Sequence, residues 1–89
     1  MSDTRVVNVN AYPVPPYDVL IGRDTAFGNP FIIGKHGTRA QVIRKYQQWV
    51  LTQPLLMDRI RKELRGKVLG CYCAPEPCHG NVLAEIADS

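Results

Sequence analysis

A chain of 89 residues supports one hydrophobic core, so residues 1–89 are expected to form a single domain. With 45% apolar and 21% charged residues the composition excludes a disordered tail, and no apolar run nears the ~18 residues needed to cross a bilayer. The net charge of +3 permits a polyanionic partner without requiring one; an odd count of three cysteines, after the weakly apolar start MSDTRVVNV, points to reduced thiols and a cytoplasmic protein with no membrane partner.

Residues 5 to 10, RVVNVN, and 17 to 22, YDVLIG, are short and rich in β-branched and apolar side chains, which predicts two strands. Between them AYPVPP carries prolines 13, 15 and 16, which cannot join a sheet ladder and therefore make a stiff loop. RDTAFGNPFIIGKHG follows as a long irregular loop, with Phe31 to Ile33 as a brief edge strand; loops of that length in a small domain tend to carry function.

A helix then starts at Thr38, a good N-cap with Gln41 three residues on to complete a capping box. Val42, Ile43, Tyr46, Trp49 and Val50 recur on one face and predict a core stripe. Pro54 opens a second helix whose buried stripe is expected to be Leu55, Leu56, Ile60 and Leu64, and Gly66 ends it. Arg59, Arg61, Lys62 and Arg65 form its basic face, best read as solvated because no aromatic side chains are interleaved with them. KVLGCYC is a third strand and NVLAEIA a closing helix. The expected fold is a small single-domain α/β sandwich, with helices packed on a three- or four-stranded mixed sheet. The order is β-β-(β)-α-α-β-α, with the third strand central.

Cys71, Cys73, Cys78 and His79 crowd into nine residues. Alternation along the third strand puts Cys71 and Cys73 on one face, and Cys71, in mid-strand beside Gly70, is expected to be packed core. The loop APEP then brings Cys78 and His79 to the N-terminus of the last helix, at the end of a strand, where open α/β sheets bind ligands. Backbone N–H groups and the helix dipole at that place favour an anion, or the thiolate of Cys78.

Several chemistries fit this pattern. Cys78 and His79 could act as a nucleophile and its partner in an enzyme with a nucleotide-like substrate. Zinc could be held by Cys73, Cys78 and His79, although adjacent ligands and the lack of a CxxC pair weaken that reading, and no cofactor is expected. The cluster could also floor a pocket for a phosphorylated ligand. Arg23 and Asn29, in IGRDTAFGNP, would join it if the second strand lies beside the third, Arg23 forking onto phosphate and Asn29 offering donor and acceptor to a base or sugar. Lys35, His36 and Arg39 could extend a basic rim, while neither a GxGxxG nor a GxxxxGK[ST] loop is present.

IGRDTAFGNPF, GTRAQVIRKYQQWV and GKVLGCYCAPEPCHGNVLAEIA together resemble the domain-of-unknown-function family 4326 of bacterial and phage proteins, from Val6 to Ala87. The resemblance rests on Gly22 and Arg23, Gly28 to Phe31, Gly37 to Arg39, Trp49, and Gly70 through Gly80. It implies an α/β fold and a bacterial or bacteriophage origin, with no established activity. The expected function is therefore a ligand-binding α/β domain for a small phosphorylated ligand such as a nucleotide, with nucleic acid as the extended version. Its site is expected at the C-terminal end of the third strand, lined by Arg23, Asn29, Cys73, Cys78, His79 and Asn81. A module that acts by contact with a host or phage protein is the reading that needs no ligand at all.

Overall fold

In a computed structural model, which describes residues 4–22, 24–72 and 76–89, six elements follow one another along the chain. They are β1 (Arg5–Asn8), β2 (Val19–Leu20), α1 (Arg39–Val50), α2 (Pro54–Glu63), β3 (Val68–Cys71) and α3 (His79–Asp88). The strand order β1-β3-β2 puts β3 in the centre, as its apolar sequence predicts. Both pairings are parallel: Arg5 to Asn8 lie opposite Val68 to Cys71, and Val19 and Leu20 lie opposite Leu69 and Gly70. The sheet is thus three-stranded and parallel rather than mixed.

Residues 9–18 explain the direction of β2. They leave the C-terminal end of β1 and return across the sheet, so that β2 starts level with the other two strands. Asp18 fixes that start by accepting from the Val68 N–H through its carboxylate (2.8 Å) while its own N–H donates to the Val68 carbonyl (2.8 Å). The crossing is possible because Gly70 has no side chain; a Cβ there would stand 2.7 Å from Val9 Cγ1 and 3.0 Å from the Tyr17 ring. The connection therefore lies on the sheet face opposite the one into which Leu69 and Cys71 point.

The predicted edge strand at Phe31 to Ile33 does not form; Ile33 makes an isolated bridge to Gly37. The Ile32 N–H that a ladder would use is instead donated to His36 Nδ1 (2.8 Å), and the His36 N–H closes back on the Ile32 carbonyl (2.7 Å). Local turn chemistry wins over β propensity here.

Thr38 and Gln41 form the expected capping box at the start of α1: Thr38 Oγ1 accepts from the Gln41 N–H, and Gln41 Oε1 accepts from the Thr38 N–H. Tyr46, Val50, Ile60, Leu64, Leu69, Leu83 and Ile21 are fully buried in one core between the helices and the sheet. Each such side chain contributes about 1.5–3 kcal/mol relative to exposure. Trp49 is half-buried at the edge of this cluster. Leu55 departs from its predicted place: it is 83% exposed, on the outer side of the first turn of α2. The basic face of α2 is largely occupied by local pairs. Arg59 bonds to Glu63 (2.7 Å), Lys62 pairs with Asp58 (3.0 Å), and Arg65 donates to the Ala87 and Ser89 carbonyls at the C-terminal end of α3.

Replacing Gly70 by Ala tests the crossing of the connection over β3. Overpacking at this contact is expected to destabilise the fold by about 1–3 kcal/mol in denaturant unfolding. An unchanged midpoint would mean that residues 9–18 do not lie on β3.

Candidate ligand cleft at the end of the central strand

The parallel sheet directs the C-terminal ends of β2 and β3 to the same edge, and a cleft of about 460 Å³ opens there. That volume lies within the range of about 300–1,000 Å³ typical of small-molecule sites. Its walls come from Gly22 and Asp24 after β2, Cys71 and Tyr72 at the end of β3, Phe31 to Ile33 in the long loop, Arg39, Val42 and Ile43 on α1, and Pro77 to His79 at the start of α3.

The N-terminus of α3 is set deep in the fold. Gly80, in its first turn, is buried, and a Cβ there would meet Ile21 Cδ1 at 2.8 Å and Val6 Cγ1 at 3.0 Å. Only a glycine lets the helix start this close to β1 and β2. His79 secures the same joint from its side chain, with Nε2 2.7 Å from the Ile21 carbonyl. A carbonyl only accepts, so this nitrogen carries the hydrogen and donates it. The imidazole also meets the Tyr46 ring edge to face, with centroids 5.3 Å apart. Tyr46 in turn donates its hydroxyl to the Phe27 carbonyl (2.7 Å), and burial pushes its phenol far above the usual tyrosine range, so it stays a neutral donor.

The N-termini of α1 and α3 meet at this cleft although about forty residues separate them in sequence. Arg39, the first residue of α1, donates from Nη1 to the Pro77 carbonyl (3.2 Å) and pairs through Nη2 with Glu76 (3.2 Å). Neither helix carries an acidic residue in its first turn. The first residues of both helices and a guanidinium therefore line one cavity, and Asp24 lines it too.

Of the residues singled out from sequence, Asn29, Cys78 and His79 line the cleft together. Arg23 and Cys73 lie outside the described residues. Asn29 also ties the loop down, accepting from the Phe31 N–H (2.8 Å) and donating to the Val42 carbonyl (3.3 Å). Asn81 does not line the cleft: it is exposed, and its Oδ1 accepts from the N–H of the N-cap residue Cys78 (2.9 Å), as the N3 residue of a capping box does. Cys71 is packed core as expected, and Cys78 is buried beside it with the two sulfurs 3.5 Å apart. Among the described residues no three His, Cys, Asp or Glu side chains gather as metal ligands. Arg39, Asp24 and Tyr72 complete the walls. Arg39 carried a signal in its place at a helix start; Asp24 and Tyr72 carried none.

A family model for a domain of unknown function, DUF4326, matches residues 5–89. The chain belongs to the DUF4326 family. It is 36% identical, over 90% of its length, to an uncharacterised 12.4 kDa protein encoded in the nrdA-td intergenic region of Enterobacteria phage T4, and spans 75% of that protein. It is also 31% identical, over 78% of its length, to the uncharacterised protein R718 of Acanthamoeba polyphaga mimivirus, of which it spans 65%. No solved structure matches the chain. This DUF4326 chain has no helix among its described residues that is long and apolar enough to cross a membrane.

Tyr46→Phe isolates the bond that anchors the cleft wall to the core. The Phe27 carbonyl loses its buried donor, and a loss of about 1–3 kcal/mol in unfolding free energy is expected with the fold retained by circular dichroism. A neutral substitution would show that the hydroxyl does not hold the 24–37 loop.

Proposed function

We propose that the cleft binds a small phosphorylated ligand of the nucleotide type, with a strand of nucleic acid as its extended form. The observation that carries this reading is the meeting of two helix N-termini and Arg39 at one cavity on the C-terminal edge of a parallel sheet. The dipole ends of α1 and α3 suit a phosphate, and the guanidinium adds charge-assisted donors. The remaining walls suit a ring: Phe31, Ile32 and Ile43 are apolar, and Tyr72, half exposed at the mouth, offers an aromatic face. In this reading Cys78 and His79 act in the Cys-His cluster as floor and support, His79 by fixing the helix start on Ile21. The working compartment is the cytoplasm, where nucleotides are available and thiols are reduced at rest.

A thermal-shift panel of nucleoside mono-, di- and triphosphates, sugar phosphates and short oligonucleotides checks this directly. A true ligand at a hundredfold excess over its dissociation constant raises stability by about 2.7 kcal/mol, and Arg39→Ala is expected to weaken its binding by about 10- to 100-fold. If no compound in the panel shifts the transition, or if Arg39→Ala binds unchanged, the reading fails.

A further inference from the structure

Cys71 closes β3 and Cys78 is the residue that caps α3, so their two sulfurs belong to elements that meet only through tertiary packing. They stand 3.5 Å apart, in contact, and each side chain is all but removed from solvent, at 1% and 3% exposure. Two buried thiols packed as small hydrophobes would be ordinary. Two that touch each other in residues lining an open cleft are different, because an oxidant that reaches one sulfur finds the other 3.5 Å away.

We propose that Cys71 and Cys78 are a reversible dithiol–disulfide pair, oxidised in place by a hydroperoxide that enters the cleft. One thiol, as its thiolate, attacks the terminal oxygen of hydrogen peroxide; the O–O bond breaks, hydroxide leaves, and the sulfur becomes a sulfenic acid. The second thiol, 3.5 Å away, attacks that sulfur, the S–O bond breaks, and the oxygen leaves with a proton as water. The sum is two thiols and one hydrogen peroxide giving one disulfide and two waters, with the two electrons supplied by the sulfur pair. Closing the gap to a bond of about 2.05 Å needs the two sulfurs to approach by about 1.5 Å. Because both residues line the cleft, the bond tethers the N-terminus of α3 to the strand that bounds the same cavity. The pairing depends only on the two sulfurs, so it holds whatever the cleft binds.

Cys73→Ser leaves Cys71 and Cys78 as the only thiols and gives a clean test. After hydrogen peroxide, the folded monomer is expected to lose both thiols to a dithionitrobenzoate count, lose two hydrogens in intact mass, and recover both thiols with dithiothreitol. The oxidation is expected to run at least about tenfold faster in the folded chain than in the chain unfolded by urea, because the native fold holds the partners together. Should Cys73→Ser fail to fold by circular dichroism, chymotryptic mapping of the oxidised, alkylated natural chain reads the same link: cleavage after Tyr72 must leave the Cys71 peptide joined to the Cys78 peptide, with Cys73 alkylated. Retained thiols, over-oxidised sulfur without a disulfide, intermolecular dimers, a link through Cys73, or equal rates in folded and unfolded chains would each overturn the proposal.

Discussion

The backbone of β3 is hydrogen-bonded on both sides by parallel neighbours, and that double engagement decides where everything else can stand. Because β1, β2 and β3 all run the same way, their C-terminal ends share one edge, and the segments that leave β2 and β3 begin there. The connection from β1 to β2 has to cross the sheet, which Gly70 permits by leaving room for Val9 and Tyr17. The opposite face is then left for α1, α2 and α3, whose apolar stripes close the core on Leu69. A single missing methyl group on β3 thus allows the topology that puts the cleft where it is.

The cleft depends on how deeply α3 is seated. Gly80 lets the first turn approach β1 and the residue after β2, Asn81 completes its capping box with Cys78, and the His79 ring bonds Ile21 just after β2. The resulting chain of contacts runs from Ile21 through His79 and Tyr46 to Phe27, linking the sheet edge to the long loop. Arg39 closes the ring by joining α1 to the segment before α3. The polar groups in this frame hold it rigid, while the helix ends they position supply the field that a ligand would meet. Rigid support of this kind favours recognition, since little ordering remains to be done on binding.

Much of this was legible in the sequence wherever the signal was local. Thr38 and Gln41 announced their capping box, the run VLGC announced a central strand, and the crowding of Cys78 and His79 at a helix start marked the edge where the cleft opens. What the sequence could not show was long-range. Nothing in residues 9–18 says whether they turn back as a hairpin or cross the sheet, so the parallel direction of β2 was hidden. Asn81 was expected in the ligand site; its Oδ1 turns instead to the Cys78 N–H, one turn behind it, a choice that only the direction of the side chain reveals. Alternation grouped Cys71 with Cys73, which lies outside the described residues; among the described residues Cys71 meets Cys78, because the start of α3 packs onto the end of the strand. Arg39 was visible as a cation at the wrong end of a helix dipole, and its partners Glu76 and Pro77 are the reason it stands there.

The claim on which the account rests is that the two helix N-termini face a ligand. Amide chemical-shift mapping of the isotope-labelled chain during titration with adenosine diphosphate tests it most directly. The account predicts saturable shifts concentrated on the N–H groups of Arg39, Ala40, His79 and Gly80, with smaller ones at Phe31 and Tyr72. Shifts that fail to saturate, or that gather instead on the far groove around Leu51, Met57 and Ile86, would contradict it.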